Sequence, residues 1–290
     1  MTNKQKALLL MTLSTLSFSI MQIFVKFTAG AFHTMEQVFM RNLITLFFGA
    51  FMALRSHEPL LGKKGDRTAL LARSVLGFIG VAGYFYATTH MNVADASLLH
   101  RSSPFFVIIF SAIFLKNRLK RVQVAALLLA FAGAILVINP AFNSRVSVAL
   151  IGLLSAAGAG GAYVIISYLK GKEGNATIIF FFSAVSCLLS AVMGFSHFTM
   201  PHGIQWLLLL GIGVFAAFGQ ILLTQAYKMT EPGEVSIMNY LGIAFSAVLG
   251  FFLLDERIGL RSLAGMLCIF AAAALLYFIK NSKPIGRPKK

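Results

Sequence analysis

The chain has 290 residues, of which 58% are hydrophobic and only 12% are charged. A soluble globular domain is about half apolar and about a quarter charged, so this composition excludes an ordinary soluble protein. The net charge of +16 is typical of nucleic-acid-binding proteins, but the basic residues lie in short segments between long apolar runs. That pattern is typical of a membrane protein, so we expect no nucleic-acid partner.

Ten apolar segments follow one another along the chain, separated by turn residues, charges and prolines. Most are about 20 residues long, enough for a helix to cross a hydrocarbon core of ~30 Å. We therefore predict an all-α, multi-pass integral membrane protein with ten transmembrane helices. The segments lie at residues 7–27, 34–54, 69–89, 96–115, 122–138, 148–168, 177–196, 205–226, 235–254 and 262–280.

The basic residues predict the orientation of these spans, because Lys and Arg are enriched in cytoplasmic loops. With the N-terminus inside, eighteen Lys and Arg residues fall in inside segments and three in outside loops, and the remaining four lie within or at the edges of spans. Both termini are then cytoplasmic, in what we expect to be a bacterial inner membrane. The basic tail "KNSKPIGRPKK", from residue 280, is expected to lie near anionic membrane lipid.

The two halves of the chain repeat each other at a shift of 139 residues. "ADASLLHRSSPFFVIIFSAIFLKNRLKR", from residue 94, aligns without gaps on "GEVSIMNYLGIAFSAVLGFFLLDERIGL", from residue 233. Because each half has five spans, an odd number, the second half crosses the membrane in the opposite sense. We predict two inverted five-helix repeats, residues 1–140 and 141–290, around a central cavity that opens to either side by alternating access.

Several of these stretches resemble a known family. "MEQVFMRNLITLFFGAF" is similar to the second span of the EamA-type ten-helix members of the drug/metabolite transporter superfamily, with its single arginine. "RSVLGFIGVAGYFYATTHMNVADASLLHRSSPFFVIIFSAIFLKNRL" resembles the third and fourth spans, and "TQAYKMTEPGEVSIMNYLGIAFSAVLGFFLLDERI" matches the same block in the second half. The resemblance implies secondary transport, often efflux, of a small organic metabolite.

Polar residues inside the first three spans are the first candidates for the substrate site. Such residues are costly in a membrane unless they face a cavity or a partner. Ser19 and Gln22 share a stripe of the first span, Arg41 lies well inside the second, and Tyr84 follows two glycines on one face of the third. The alternative for Arg41 is an arginine that reaches out to water. Arg73, near the inner end of the third span, is predicted to be a positive-inside anchor.

The fourth span contains the most unusual polar group. His100 and Arg101 adjoin each other inside an apolar run, and Pro104 predicts a break or hinge in the helix. Their equivalents in the second half are Asn239 and Tyr240, which are also polar and embedded. Gln220 and Thr224 share a face of the eighth span, and Tyr163 of the sixth span is a weaker candidate.

The balance of charge predicts the chemistry of the substrate. No Asp or Glu falls inside a span, so Arg41 and Arg101 have few protein counter-ions, and a bound anion can supply one. His100 could also carry a proton, a role we state as a hypothesis.

We therefore predict a secondary transporter for an anionic or zwitterionic, amphipathic metabolite. The alternative is a channel-like or non-transporting membrane interaction protein. Motifs for hydrolytic, metal-dependent or nucleotide-dependent catalysis are absent, so we expect no enzyme and no cofactor. Import or export, the coupling ion and the oligomeric state stay open.

Overall fold

The computed structural model describes residues 2–28, 30–90, 98–117, 120–138, 146–194, 198–253 and 259–278, and these residues form a bundle of helices. Within these residues, 3₁₀ turns occupy Lys64–Asp66 and Met238–Tyr240. The helices are α1 (Asn3–Phe27), α2 (Thr34–Arg55), α3 (Arg67–His90), α4 (Ser103–Phe114), α5 (Arg121–Ile138), α6 (Val146–Tyr168), α7 (Asn175–Gly194), α8 (Gln205–Met229), α9 (Pro232–Ile237), α10 (Leu241–Leu253) and α11 (Leu260–Phe278).

Ten apolar helical segments lie within these described residues. Seven are long and apolar enough to cross a membrane, including 232–253 taken as one span, and three are shorter. The shorter ones are Leu98–Phe114, Arg121–Leu136 and Leu263–Leu275. Each coincides with one of the segments predicted from the sequence, so the all-helical membrane fold is confirmed.

Hydrogen-bonded caps fix where the first two helices begin. The Thr2 side chain accepts from Gln5 N at 3.2 Å, and the Gln5 side chain accepts from Thr2 N at 3.0 Å, a capping box. The Glu36 carboxylate accepts in the same way from His33 N, and also from Thr199 N at 2.7 Å. Glu36 therefore ties the start of α2 to the segment before α8, at the end of the bundle away from the N-terminus.

The surface of the bundle is apolar, and its largely hydrophobic interior also contains many polar side chains. Large side chains such as Phe47, Leu154 and Val192 are more than 60% exposed, whereas Ser14, Ser19 and Thr224 are fully buried. A surface this apolar is stable only where the exposed side chains face hydrocarbon. The protein is a multi-pass integral membrane protein.

The packing of the helices is the same when the two halves are exchanged. α1 packs against α8, and the equivalent pair, α6 and α3, also packs together. The pairs α1–α10 and α6–α4 correspond in the same way, as do α2–α8 and α7–α3. α2–α7 and α5–α11 each pair equivalent helices. This pattern is what a pseudo-two-fold axis between the halves requires.

A glycine on α6 allows the close approach of α3 and α6. A Cβ at Gly158 would lie 2.8 Å from the carbonyl oxygen of Leu76, a distance that real Cβ atoms essentially never show. Gly80 of α3 packs in the same interface, since a Cβ there would lie 3.0 Å from Ala159 N, whereas a Cβ at Gly77 would lie 2.9 Å from Phe182 Cε2 of α7. Both glycines therefore allow neighbouring helices to approach α3 closely.

Candidate substrate-binding site

The fourth span of each half is interrupted at equivalent positions. In the first half the helix breaks at Arg101–Ser102 and restarts as α4, with Pro104 in its first turn. In the second half the 3₁₀ turn Met238–Tyr240 falls at the position equivalent to that break. A proline in the first turn of a helix loses no hydrogen bond, because the first N–H groups have no partner within the helix. The predicted break at Pro104 is present, and its movement as a hinge stays a prediction.

Arg101 connects the two breaks. Its Nη1 donates to the backbone carbonyl oxygen of Asn239 at 2.8 Å. The guanidinium lies flat against Gly242, where a Cβ would be 2.7 Å from Nη1. Interrupted helices free carbonyl groups from intrahelical bonds, so the break in the second half supplies the acceptor that orients Arg101.

His100 contacts one side chain from each half of the chain. Its Nδ1 lies 3.0 Å from Ser155 Oγ, and its ring lies 4.5 Å from the ring of Tyr84. Because the Ser155 hydroxyl donates to Gly152 O at 2.7 Å, His100 Nδ1 is the donor to Ser155 Oγ. The structure therefore brings together Tyr84, His100 and Arg101, three of the predicted site residues.

Tyr163 is the aromatic residue on which all three buried arginines act electrostatically. Its phenol is within electrostatic range of the guanidinium groups of Arg41, Arg73 and Arg101, and its ring stacks on Tyr227 with 4.9 Å between centroids. Tyr227 in turn accepts a long hydrogen bond of 3.5 Å from Asn239 Nδ2. The sequence had placed Tyr163 among the weaker candidates, because a single polar group on an apolar helix gives no pattern.

Arg41 is 7% exposed and so does not reach out to water. Its Nη1 makes a long hydrogen bond of 3.5 Å to Asn42 Oδ1, and Thr45 Oγ1 donates to the Arg41 carbonyl oxygen at 2.9 Å. These contacts position the helix but provide no opposite charge. Arg41 is therefore a buried cation within electrostatic range of the Tyr163 phenol.

The prediction for Arg73 was wrong. Arg73 is 2% exposed, and its Cζ lies 3.9 Å from the centre of the Phe182 ring, so it is not a surface anchor. Its proximity to the basic inner end of α3 suggested an anchor. A second signal could have corrected this, because Arg73 lies four residues before Gly77 and extends the face that carries Gly80 and Tyr84.

The remaining predicted residues form contacts around this group. Ser19 Oγ donates to Gly242 O at 3.0 Å, beside the Arg101 guanidinium, and Gln22 Oε1 accepts from Ser246 Oγ at 3.0 Å. Gln220 and Thr224 hydrogen-bond to each other on α8. The side chain of Tyr240 is fully buried against Phe131, and its hydroxyl has no hydrogen-bond partner in the described part of the chain.

An ion-pair network connects the two halves at the end of the bundle where the N-terminus lies. Glu234, which is 3% exposed, contacts Lys4 Nζ at 3.3 Å and Lys120 Nζ at 3.1 Å. Lys120 Nζ also contacts Glu231 at 3.0 Å, and Gln123 Nε2 donates to the same carboxylate at 3.2 Å. Burial lowers the pKa of Lys120, but its hydrogen bonds and ion pairs with Glu231 and Glu234 outweigh that effect, so its pKa is raised. We call this group the terminal-end network.

The distribution of charge within the described residues separates two environments. Carboxylates such as Glu36, Glu173 and Glu234 lie at helix ends or in connections, whereas Arg41, Arg73 and Arg101 lie within the bundle. In the described part of the chain, none of the three arginines forms an ion pair. Aromatic rings surround them, so the site can hold an acid group against guanidinium donors and an apolar group against tyrosine rings.

Comparison with known proteins identifies the family. The model of the EamA-like transporter family matches the chain twice, at residues 5–139 and 146–278. The chain belongs to this family. It is a membrane transporter and not an enzyme.

The relatives of this EamA-like transporter have names consistent with that assignment. The pseudopaline exporter CntI of Pseudomonas aeruginosa (strain UCBPP-PA14) is 36% identical over 275 residues, with 94% of this chain and 96% of the exporter covered. Human solute carrier family 35 member G1 is 26% identical, with 93% of this chain and 79% of the carrier covered. A crystal structure at 18% identity covers 93% of this chain and 96% of its own with a TM-score of 0.83, which shows that the fold is shared.

These findings support transport of a small organic molecule and do not favour the alternative of a channel-like or non-transporting protein.

Proposed function

We propose that this EamA-like transporter exports an anionic or zwitterionic, amphipathic metabolite from the cytoplasm of a bacterium across the inner membrane. The substrate site is formed by Arg41, His100, Arg101, Asn239 and Tyr240, with Ser19, Gln22, Tyr84, Gln220 and Thr224 around them. The observation that carries the proposal is Arg101, a cation that no carboxylate of the described residues neutralises and that a backbone carbonyl of the opposite half orients. The direction rests on the name of the related pseudopaline exporter.

The mechanism that we propose is alternating access between two inverted halves, residues 1–140 and 141–290. The matching contacts of equivalent helix pairs support this mechanism, because two similar bundles related by an axis in the membrane plane can rock about a site between them. Arg101 and Asn239 come from different halves, so rocking changes the contact that orients the guanidinium. The site is thereby coupled to the motion that exposes it.

The terminal-end network is proposed to be the cytoplasmic gate. Lys4 and Lys120 belong to the first half and Glu231 and Glu234 to the second, so opening this end must separate ion pairs. The position equivalent to Glu234 in the first half is Asp95, which lies outside the described residues. Basic residues such as Lys63, Lys170 and Lys172 lie at this end of the bundle, which supports its assignment to the cytoplasmic side.

Export from cells and flux in liposomes test the proposal together. Untargeted mass spectrometry compares the medium of cells that express the wild type with the medium of cells that express Arg101→Ala. We expect a compound that is at least tenfold more abundant in the wild-type medium. The purified protein is then placed in liposomes with this compound. Saturable flux that is accelerated by the same compound on the opposite side is expected. Flux that rises linearly with concentration would support a channel and refute the proposal.

A further inference from the structure

Arg73 is a buried cation with unused hydrogen-bonding capacity. In the described part of the chain its Nε and Nη1 have no hydrogen-bond partner, although the residue is 2% exposed. The guanidinium lies over the Phe182 ring at 3.9 Å, but a ring face cannot accept the directed hydrogen bonds of a guanidinium fork. A charged group in this condition is expected to have a partner in the working state of the protein.

A second buried cation acts electrostatically on Arg73. Arg73 is within electrostatic range of Arg41, a like charge, as well as of the Tyr163 phenol. Two buried guanidinium groups that repel each other, without a carboxylate among the described residues, favour the binding of an anion between them more strongly than one group does.

The position of Arg73 is set by a glycine. A Cβ at Gly77 would lie 3.0 Å from Arg73 Nη1 and 2.9 Å from Phe182 Cε2, so any larger residue would displace the stacked pair. The groups around Arg101 are different. They include the phenols of Tyr84, Tyr163 and Tyr240. Tyr163 is common to both sets, because its phenol is within electrostatic range of all three guanidinium groups.

We infer that the substrate carries at least two acid groups, one bound by Arg101 and the second by Arg41 and Arg73, with its middle part against Tyr163. This inference rests on the proposed function and specifies the substrate class as molecules with two or more carboxylate groups. Arg73 then binds substrate directly through Nε and Nη1, the two nitrogen atoms that the described residues leave without a hydrogen-bond partner. A lysine at this position would retain the charge but not the paired donors.

Counting the carboxyl groups of the exported compounds tests the inference. Media from cells that express the wild type, Arg73→Gln, Arg73→Lys or Arg67→Gln are treated with a carboxyl-specific reagent and analysed by mass spectrometry, so that each carboxyl group adds one mass increment. Arg67→Gln is the matched control, because Arg67 is an exposed arginine at the start of the same helix. Compounds that depend on the wild type are expected to carry two or more carboxyl groups.

The variants are expected to export clearly different amounts of these compounds. Export of these compounds falls at least tenfold in Arg73→Gln, falls less in Arg73→Lys and is unchanged in Arg67→Gln. Exported compounds with one carboxyl group or none, or full export by Arg73→Gln, would overturn the inference while leaving transport intact. If the wild type exports nothing, the proposed function itself fails.

The stability of the substrate-free protein separates binding from a structural role. An unpartnered buried charge destabilises the folded protein, so the purified Arg73→Gln variant in detergent is expected to unfold at a higher midpoint temperature than the wild type. A lower midpoint, or failure to fold, would show that Arg73 holds the helices together and would refute its assignment to substrate binding.

Discussion

The substitution Gly242→Ala tests how Arg101 is oriented. The added Cβ would lie 2.7 Å from Nη1, 3.0 Å from Nη2 and 3.2 Å from Cζ of Arg101. Ordinary contacts of carbon with other heavy atoms are ~3.5–4.0 Å, so the guanidinium has to move by roughly 0.5–1 Å. Such a movement disrupts the 2.8 Å hydrogen bond from Nη1 to Asn239 O. The side chain remains charged but is no longer directed at its position in the site.

The expected size follows from the bond that is lost. A hydrogen bond from a charged donor contributes ~1.5–3 kcal/mol, so transport at low substrate concentration should fall by roughly 10- to 100-fold. Gly233→Ala is the matched control in the same interrupted span, because its nearest contact would be an Ile108 side-chain carbon at 3.3 Å. Both variants are compared with the wild type for initial rate of export and for amount of folded protein in the membrane. Wild-type rates in Gly242→Ala would refute the assignment of Arg101 to the site.

Three further predictions concern the gate and the aromatic contacts. Glu234→Gln removes the charge that Lys4 and Lys120 share, so the N-terminal end should open more often and a cysteine in the site should be labelled faster from that side. The loss of folding free energy is below the ~3–5 kcal/mol of a fully buried pair, because both lysines can rehydrate. Unchanged labelling would contradict a gate. The raised pKa of Lys120 means that its ion pairs, with both carboxylates ionised, stabilise the fold fully from neutral pH to 10.5. This effect is lost as the pH rises through the still higher pKa of the folded state. The difference in midpoint temperature between the wild type and Lys120→Met should therefore be constant from pH 7 to 10 and shrink above 10.5, whereas a decline near neutral pH would contradict the assignment. Tyr84→Leu should reduce transport roughly 3- to 10-fold relative to Tyr84→Phe, since an aromatic pair is worth ~0.5–1.5 kcal/mol and only Phe retains a ring against His100. Equal rates in the two variants would exclude a role for that contact.

The architecture was predictable because it depends on long-range averages along the chain. Apolar runs of about 20 residues and the uneven distribution of Lys and Arg are required by the bilayer, whatever the packing inside. The break in the fourth span was predictable from Pro104. The matching break at Met238–Tyr240 contains no proline, so only its alignment with the first half pointed to it.

The site was only partly predictable, because its chemistry depends on contacts between distant residues. Arg41 and Arg101 were found from the cost of charge in a membrane. Arg73 was misassigned because the same cost is small near a helix end, and the sequence does not tell in which direction a long side chain extends. Asn239 was chosen for its side chain, but its contact with Arg101 is made by its backbone carbonyl, which any residue at that position could provide.

Labelling of a single cysteine from each side of the membrane tests the central claim most directly. Cys187 and Cys268 are replaced by alanine, and Ser19→Cys places a thiol of similar size beside Gly242 in the proposed site. A membrane-impermeant thiol reagent is then applied to membranes of either orientation, with a cysteine at the exposed, lipid-facing Phe51 as the control. The account predicts that Ser19→Cys reacts from both sides, that Glu234→Gln shifts the reaction toward the N-terminal side, and that Phe51→Cys does not react. Reaction from one side alone, with the wild-type gate and with Glu234→Gln, would contradict alternating access between the two halves.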